Sequence, residues 1–182
     1  MLLSFLLMHT VFALPPAQTI EKVDSCPSGY NSNGNYCVPT SNASYAILKN
    51  GSCPSGYNSN GNYCLATSNA TTAIPKNGSC PSGYNSNGNY CLESTQRTES
   101  LLSPKTIEKV DSCPSGYNSN GNYCVPTSNA SYAILKNESC PSGYNSNGNY
   151  CLATSGATLA IPKNGSCPSG YNSNGNYCLQ SR

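Results

Sequence analysis

Tryptophan is absent from the 182 residues, and the only two phenylalanines, Phe5 and Phe12, lie within the first 13 positions. Charged residues make up 9% of the chain, and His9 is its single histidine. Because so few large apolar side chains are available, burial alone does not offset the entropy of folding, and crosslinks are needed. No pair of carboxylates recurs in a way that suggests acid–base catalysis and no nucleophile has an evident base, so we expect no enzymatic activity.

Cysteine is abundant, and all 12 cysteines lie in six identical copies of Ser-Cys-Pro-Ser-Gly-Tyr-Asn-Ser-Asn-Gly-Asn-Tyr-Cys. The copies begin at Ser25, Ser52, Ser79, Ser112, Ser139 and Ser166. An even cysteine count at regular spacing is typical of proteins in an oxidising compartment. Ten residues separate the two cysteines of a copy, unlike the Cys-x-x-Cys spacing of zinc sites. We therefore expect neither a metal nor a cofactor.

Each copy is predicted to form a β-hairpin. Asn33-Gly34 favours a type I′ turn, which would place Tyr30 opposite Cys37. A second turn over residues 26–29, with its proline at position i+1, would return the first cysteine to the second. Such a bridge would stabilise each hairpin by about 3 kcal/mol, although spacing alone leaves the connectivity open. The proposed pairs are Cys26–Cys37, Cys53–Cys64, Cys80–Cys91, Cys113–Cys124, Cys140–Cys151 and Cys167–Cys178.

Twelve of the 14 tyrosines lie in the hairpins and have two interpretations. They pack over the disulfides in place of phenylalanine and tryptophan, or they form a repeated recognition surface together with asparagines. The candidate contact residues are Tyr30, Tyr36, Tyr57, Tyr63, Tyr84, Tyr90, Tyr117, Tyr123, Tyr144, Tyr150, Tyr171 and Tyr177.

Each hairpin follows a short β-prone lead containing Ile-x-Lys, and this module repeats every 27 residues within a block of three. Residues 19–94 match residues 106–181 at all but four positions. The predicted organisation is a three-module block over 14–94, a linker over 95–105 and a second block over 106–182. The fold class is small, disulfide-rich and all-β: a tandem array of six stapled β-hairpin modules, or alternatively a continuous β-solenoid. The recurring lysines are interpreted as solubilising, and a basic ladder for an anionic polymer is the alternative.

Residues 1–13 are almost wholly apolar and end in Val11-Phe12-Ala13, which predicts a cleaved secretory signal peptide. The apolar run is too short to span a membrane, and no other such run occurs. We expect a secreted or cell-surface location, either extracellular or periplasmic.

The unit from Ala73 to Cys91 resembles a repeat found in short secreted bacterial proteins, notably marine ones. The resemblance implies secretion and repetition, and implies no activity. The Cys-Pro-x-Gly-Tyr segments are more weakly similar to EGF-like and furin-like extracellular modules, which carry more than two cysteines each.

These observations predict a non-enzymatic structural or adhesive protein that makes multivalent contact through its repeated tyrosine and asparagine hairpins. The expected partner is an extracellular polysaccharide or a cell surface. The net charge of +2 is thinly spread, so we expect no nucleic-acid partner. The alternative function is a soluble specific binder or effector, such as a small inhibitor or a sugar-binding module.

Overall fold

The structure is a computed structural model that describes residues 14–94 and 101–181. The predicted signal peptide, residues 1–13, and residues 95–100 of the predicted linker lie outside the described residues. Within the described ranges the fold is all-β, with 18 short strands and no helix.

Each module contributes a lead strand and the two strands of its hairpin. The lead strands are β1 (Ile20–Glu21), β4 (Ala46–Leu48), β7 (Ala73–Pro75), β10 (Ile107–Glu108), β13 (Ala133–Leu135) and β16 (Ala160–Pro162). The first hairpin strands are β2 (Tyr30–Asn33), β5 (Tyr57–Asn60), β8 (Tyr84–Asn87), β11 (Tyr117–Asn120), β14 (Tyr144–Asn147) and β17 (Tyr171–Asn174). The second hairpin strands are β3 (Tyr36–Pro39), β6 (Tyr63–Ala66), β9 (Tyr90–Glu93), β12 (Tyr123–Pro126), β15 (Tyr150–Ala153) and β18 (Tyr177–Gln180).

The second hairpin strand is the centre of a three-stranded antiparallel sheet in every module. In module 1, Cys37 of β3 pairs with Ile20 on one side and with Ser32 on the other. The six sheets share no strands within the described ranges. The predicted array of six stapled hairpin modules is therefore confirmed, and the described strands do not form the continuous sheets of a β-solenoid.

The hairpin turn lies one residue further along the chain than the sequence predicted. Asn33 pairs with Tyr36, so Gly34 and Asn35 are the two central residues. Gly34 has a φ of +57° and Asn35 a negative φ, which is the pattern of a type II′ turn. Gly-Asn and Asn-Gly are both hairpin signals, so the local sequence does not choose between the two registers. The neighbouring module favours the observed one because it binds the Asn33 side chain outside the turn.

The turn that precedes the hairpin is also displaced by one residue. The Tyr30 amide donates to the Pro27 carbonyl at 3.1 Å, so proline is the first residue of this turn rather than the second. Gly29 is the third, and its φ of +84° is that of a type II turn. The turn brings Cys26 beside Cys37, with their Cα atoms 5.4 Å apart. All six predicted disulfides form within their own modules.

The core within the described ranges consists of five small clusters of mainly tyrosine, cysteine and alanine. One cluster joins Tyr30 and Cys37 of module 1 to Ala46 and Tyr63 of module 2, with Ile20 packed against it. Since the clusters combine residues of successive modules, a module completes its core only against its neighbours.

Candidate functional site

The tyrosine before the second cysteine of each repeat reaches into the preceding module. The Tyr63 hydroxyl accepts a hydrogen bond from the Val23 amide at 2.7 Å and donates to the Glu21 carbonyl at 2.8 Å. Its oxygen also lies 3.8 Å from Sγ of Cys37. Tyr63 is 1% exposed, so its ring fills the interface while both hydrogen-bonding roles of its hydroxyl are satisfied.

The same two backbone hydrogen bonds recur at all six interfaces of the described modules. They are made by Tyr36, Tyr63, Tyr90, Tyr123, Tyr150 and Tyr177. Tyr36 of module 1 makes them with module 6, accepting from the Asn164 amide and donating to the Pro162 carbonyl. Module 6 therefore contacts module 1, and the six modules form a closed ring. Radial repetition of this kind also characterises β-propellers.

Two asparagines of each hairpin strengthen the same interface. Asn60 accepts from the Ser28 amide at 3.1 Å and donates to the Ser28 hydroxyl at 3.0 Å. Asn62 donates to the Val23 carbonyl at 3.2 Å. Both partners belong to the preceding module, so the two asparagine side chains hold the hairpin tip to that module in addition to the tyrosine.

The interface between modules 6 and 1 uses the equivalent asparagines. Asn33 donates to the Ser169 hydroxyl at 2.8 Å, and Asn35 donates to the Asn164 carbonyl at 3.3 Å. The tyrosine before the second cysteine and the two asparagines at the hairpin tip thus contact another module in each repeat. These three residues of the repeated hairpin therefore make the same kind of contact at every described interface.

The first tyrosine of each repeat contacts the connection to the following module. The Tyr30 hydroxyl donates to the Ser44 carbonyl at 2.8 Å, and burial raises the pKa of this phenol to about 12. The equivalent hydrogen bonds are made by Tyr57, Tyr117 and Tyr144, whose pKa values burial also raises. Tyr84 and Tyr171, in the third module of each block, are only partly buried.

The structure buries ten of the twelve tyrosines against neighbouring modules or connections, so these ten do not form the exposed recognition face that the sequence suggested. The six that precede the second cysteine are at most 2% exposed, and four of the others are 7–8% exposed. The described residues contain neither tryptophan nor phenylalanine, so tyrosine is the side chain large enough to fill these interfaces.

Each module instead exposes polar residues on its first hairpin strand, which is an edge of the sheet. Asn31 and Ser32 are exposed on β2, and Lys22 donates to the Ser32 hydroxyl at 3.0 Å. The other five lysine–serine pairs, at 2.8–3.2 Å, are Lys49–Ser59, Lys76–Ser86, Lys109–Ser119, Lys136–Ser146 and Lys163–Ser173. We call each lysine, serine and exposed asparagine the polar edge of its module.

The six lysines do not make a purely basic surface. Three of them, Lys22, Lys109 and Lys136, have carboxylates within two residues, which are Glu21, Asp24, Glu108, Asp111 and Glu138. Opposite charges at such short separation weaken the long-range field on an anionic polymer. The arrangement favours the interpretation of these lysines as hydrogen-bonding and solubilising groups.

Two equivalent interfaces contain pockets, one between modules 6 and 1 and one between modules 3 and 4. The first is about 340 Å³ and is lined by Thr19, Glu21, Tyr36, Ile161, Pro162, Lys163 and Asn164. The second is about 210 Å³ and is lined by Ile74, Pro75, Asn77, Thr106, Glu108 and Tyr123. In each, the asparagine side chain donates to a glutamate carboxylate: Asn164 to Glu21, and Asn77 to Glu108.

Sequence reasoning did not find the polar edges or these pockets. One signal was available for the pockets. The residue after the lead-strand isoleucine is glutamate in modules 1 and 4 but leucine or proline in the other four.

Leu101, which precedes the second block, lines a cavity with Leu159 and Tyr171 of module 6 and with Val38 of module 1.

No group of three or more histidine, cysteine, aspartate or glutamate side chains within residues 14–94 and 101–181 is arranged to hold a metal ion. In the same ranges, no helix is long and apolar enough to cross a membrane.

Comparison with known proteins gave no match: no family model fits the chain, and no curated protein or solved structure is similar to it.

Proposed function

We propose that the chain is a non-enzymatic, secreted or cell-surface protein with a structural or adhesive role, and that it makes multivalent contact through its six polar edges. One observation carries this proposal: a closed ring holds six copies of the same exposed hydrogen-bonding set. The contact groups are the lysine, serine and asparagine of each edge, in place of the tyrosines that the sequence pointed to.

Multivalency gives such a surface its strength. A single lysine–serine–asparagine set offers only a few hydrogen bonds in competition with water, so one edge binds weakly. Once one edge is bound, the others are held near a repeating partner at high effective concentration, which raises the overall affinity without any new contact. A hydroxyl-rich extracellular polysaccharide is the partner whose repeating donors and acceptors suit these edges.

The compartment is part of the same proposal. Six disulfides and no free cysteine within the described ranges indicate an oxidising environment. The apolar residues 1–13 support export by a signal peptide.

The test is sedimentation of the disulfide-intact protein with insoluble cellulose, chitin and cross-linked agarose. Substitution of alanine for Asn31, Asn85 and Asn145 removes three of the six edge asparagines. We expect the triple variant to bind the preferred polymer about tenfold more weakly, and each single variant to bind almost normally.

The matched control replaces Asn42, Asn69 and Asn129, which are exposed in the connections and outside the polar edges. The control triple should bind like the unmodified chain. Equal loss in both triples, or complete loss from one edge substitution, would contradict multivalent contact. Tight one-to-one binding of a single soluble target would favour the alternative of a specific binder.

A further inference from the structure

The two interfaces with pockets, between modules 6 and 1 and between modules 3 and 4, differ from the other four at several positions, and one of these lies in the lead strand of the following module. This position pairs with the interface tyrosine and is glutamate in modules 1 and 4, as in Glu21 opposite Tyr36. The equivalent residue is leucine or proline elsewhere: Leu48, Pro75, Leu135 and Pro162. The ring of six modules thus has two carboxylate-lined pockets, at opposite interfaces.

Each pocket has one polar side and one apolar side. The polar side holds a carboxylate and an amide, which are those of Glu21 and Asn164 in the first pocket. The apolar side is formed by Ile161 and Pro162, next to the ring of Tyr36. The second pocket repeats these residue types but is not lined by a lysine.

We propose that these two pockets are binding sites for one sugar residue each. A pyranose ring has an edge of hydroxyl groups and faces of C–H groups, which match the polar and the apolar side. The Asn164 amide holds one carboxylate oxygen of Glu21, and no described hydrogen bond uses the second, which leaves an acceptor for a sugar hydroxyl. The pocket volumes of about 340 and 210 Å³ are at or below the lower end of small-molecule sites, as a single sugar ring requires.

A charged ligand fits the two pockets less consistently. Lys163 lines the first pocket beside Glu21, so that pocket has a positive and a negative side chain. In the second pocket, Glu108 is the only charged lining residue. A neutral ligand that donates and accepts hydrogen bonds suits both. The proposal is independent of the polar edges, because the pocket residues are different side chains.

The experiment is an NMR titration of the full disulfide-intact chain with glucose, galactose, mannose and N-acetylglucosamine. The side-chain amides of Asn77 and Asn164 each report on one pocket. We expect one of these sugars to shift both amide signals saturably, with a dissociation constant on the order of millimolar for so few contacting atoms.

The variants use residues that the chain itself carries at the equivalent positions. Glu21→Leu should abolish the sugar-induced shift at Asn164 and leave that at Asn77, and Glu108→Leu should do the reverse. The double variant should lose both. Glu138→Gly is the control, because Gly51 takes that place in the other block and Glu138 lines neither pocket.

Three outcomes would overturn the proposal. They are no shift with any sugar up to about 50 mM, shifts that persist in the double variant, or shifts with ethylammonium chloride and none with sugars. The last would mark the pockets as cation sites. None of these outcomes depends on polymer sedimentation, so failure here and failure of the multivalent contact are separate results.

Discussion

At the scale of the residue, tyrosine combines two properties that this chain needs. Its ring fills an interface that has neither tryptophan nor phenylalanine, and its hydroxyl satisfies a backbone donor and acceptor of the preceding module. Phenylalanine would fill the space but leave the Val23 amide and Glu21 carbonyl without their partner. Tyrosine at this position therefore joins packing and hydrogen bonding in one side chain.

The buried phenols predict a loss of stability at alkaline pH. The pKa of Tyr30 is raised by burial from its usual value near 10 to about 12. Above pH 10 the unfolded chain releases this proton while the folded chain retains it, so rising pH favours unfolding. The contribution of Tyr30 is complete below pH 10 and is lost as the pH rises through about 12.

Urea unfolding at intervals from pH 8 to 12, with absorbance of the phenolate as a second readout, checks this expectation. Tyr30→Phe removes one titrating group, so its stability should fall less steeply over that range, by at most about 1.4 kcal/mol per pH unit. A phenolate signal near pH 10 that the folded unmodified chain shows and the folded Tyr30→Phe variant lacks would contradict it. Thiol assay of each sample excludes loss of disulfides as the cause.

At the scale of the element, the turn before each hairpin has two functions. It returns the first cysteine to the second, and it packs against the connection to the next module. Gly56 adopts a φ of +83°, and a Cβ built there would lie 2.8 Å from the Cα of Ala70. Gly83 has nearly the same φ of +86°, but a Cβ there would meet no described residue within 4 Å.

This difference gives a matched pair of substitutions. Gly83→Ala should cost about 1–2 kcal/mol of unfolding free energy, the cost of a left-handed conformation for alanine. Gly56→Ala carries the same conformational cost and also collides with backbone, so we expect a further loss of about 1–3 kcal/mol. Chemical denaturation of both variants measures the difference. Equal losses would show that the turn does not pack against the connection.

At the scale of the whole molecule, closure of the ring leaves no module without a neighbour on both sides. In an open array, the interface tyrosine of module 1 would have no preceding module to enter. In the closed ring, Tyr36 makes with module 6 the contacts that Tyr63 makes with module 1. The two blocks are joined by two interfaces of the same kind, so their boundary in sequence is not a boundary of packing.

The equivalence of interfaces predicts equal effects of equivalent substitutions. Tyr36→Phe and Tyr63→Phe should each reduce the free energy of unfolding by about 1–3 kcal/mol, because each leaves buried backbone groups unpaired. Asn58→Ala, on an exposed edge, should change it by less than about 0.5 kcal/mol. Urea denaturation compares the three variants. A Tyr36→Phe variant as stable as Asn58→Ala would show that the ring is open in solution.

Features that depend on neighbours within about a dozen residues can be predicted from the sequence. The number of modules, the hairpins and the disulfide within each hairpin follow from turn residues and cysteine spacing, because short loops close locally. The register of each turn did not follow, since Asn33-Gly34 and Gly34-Asn35 are comparable hairpin signals. The hydrogen bond between the Asn33 side chain and another module favours the observed register over the other.

Closure of the array, burial of most of its tyrosines and the carboxylate-lined pockets at two interfaces depend on contacts between modules and could not be predicted from the sequence. Closure depends on the angle between successive modules summed over the whole array, and identical repeats carry no mark of that angle. Module 1 meets module 6 through contacts between residues more than 120 positions apart, such as Tyr36 with Pro162. Burial and pocket formation follow from that meeting, so a sequence read one module at a time does not contain them.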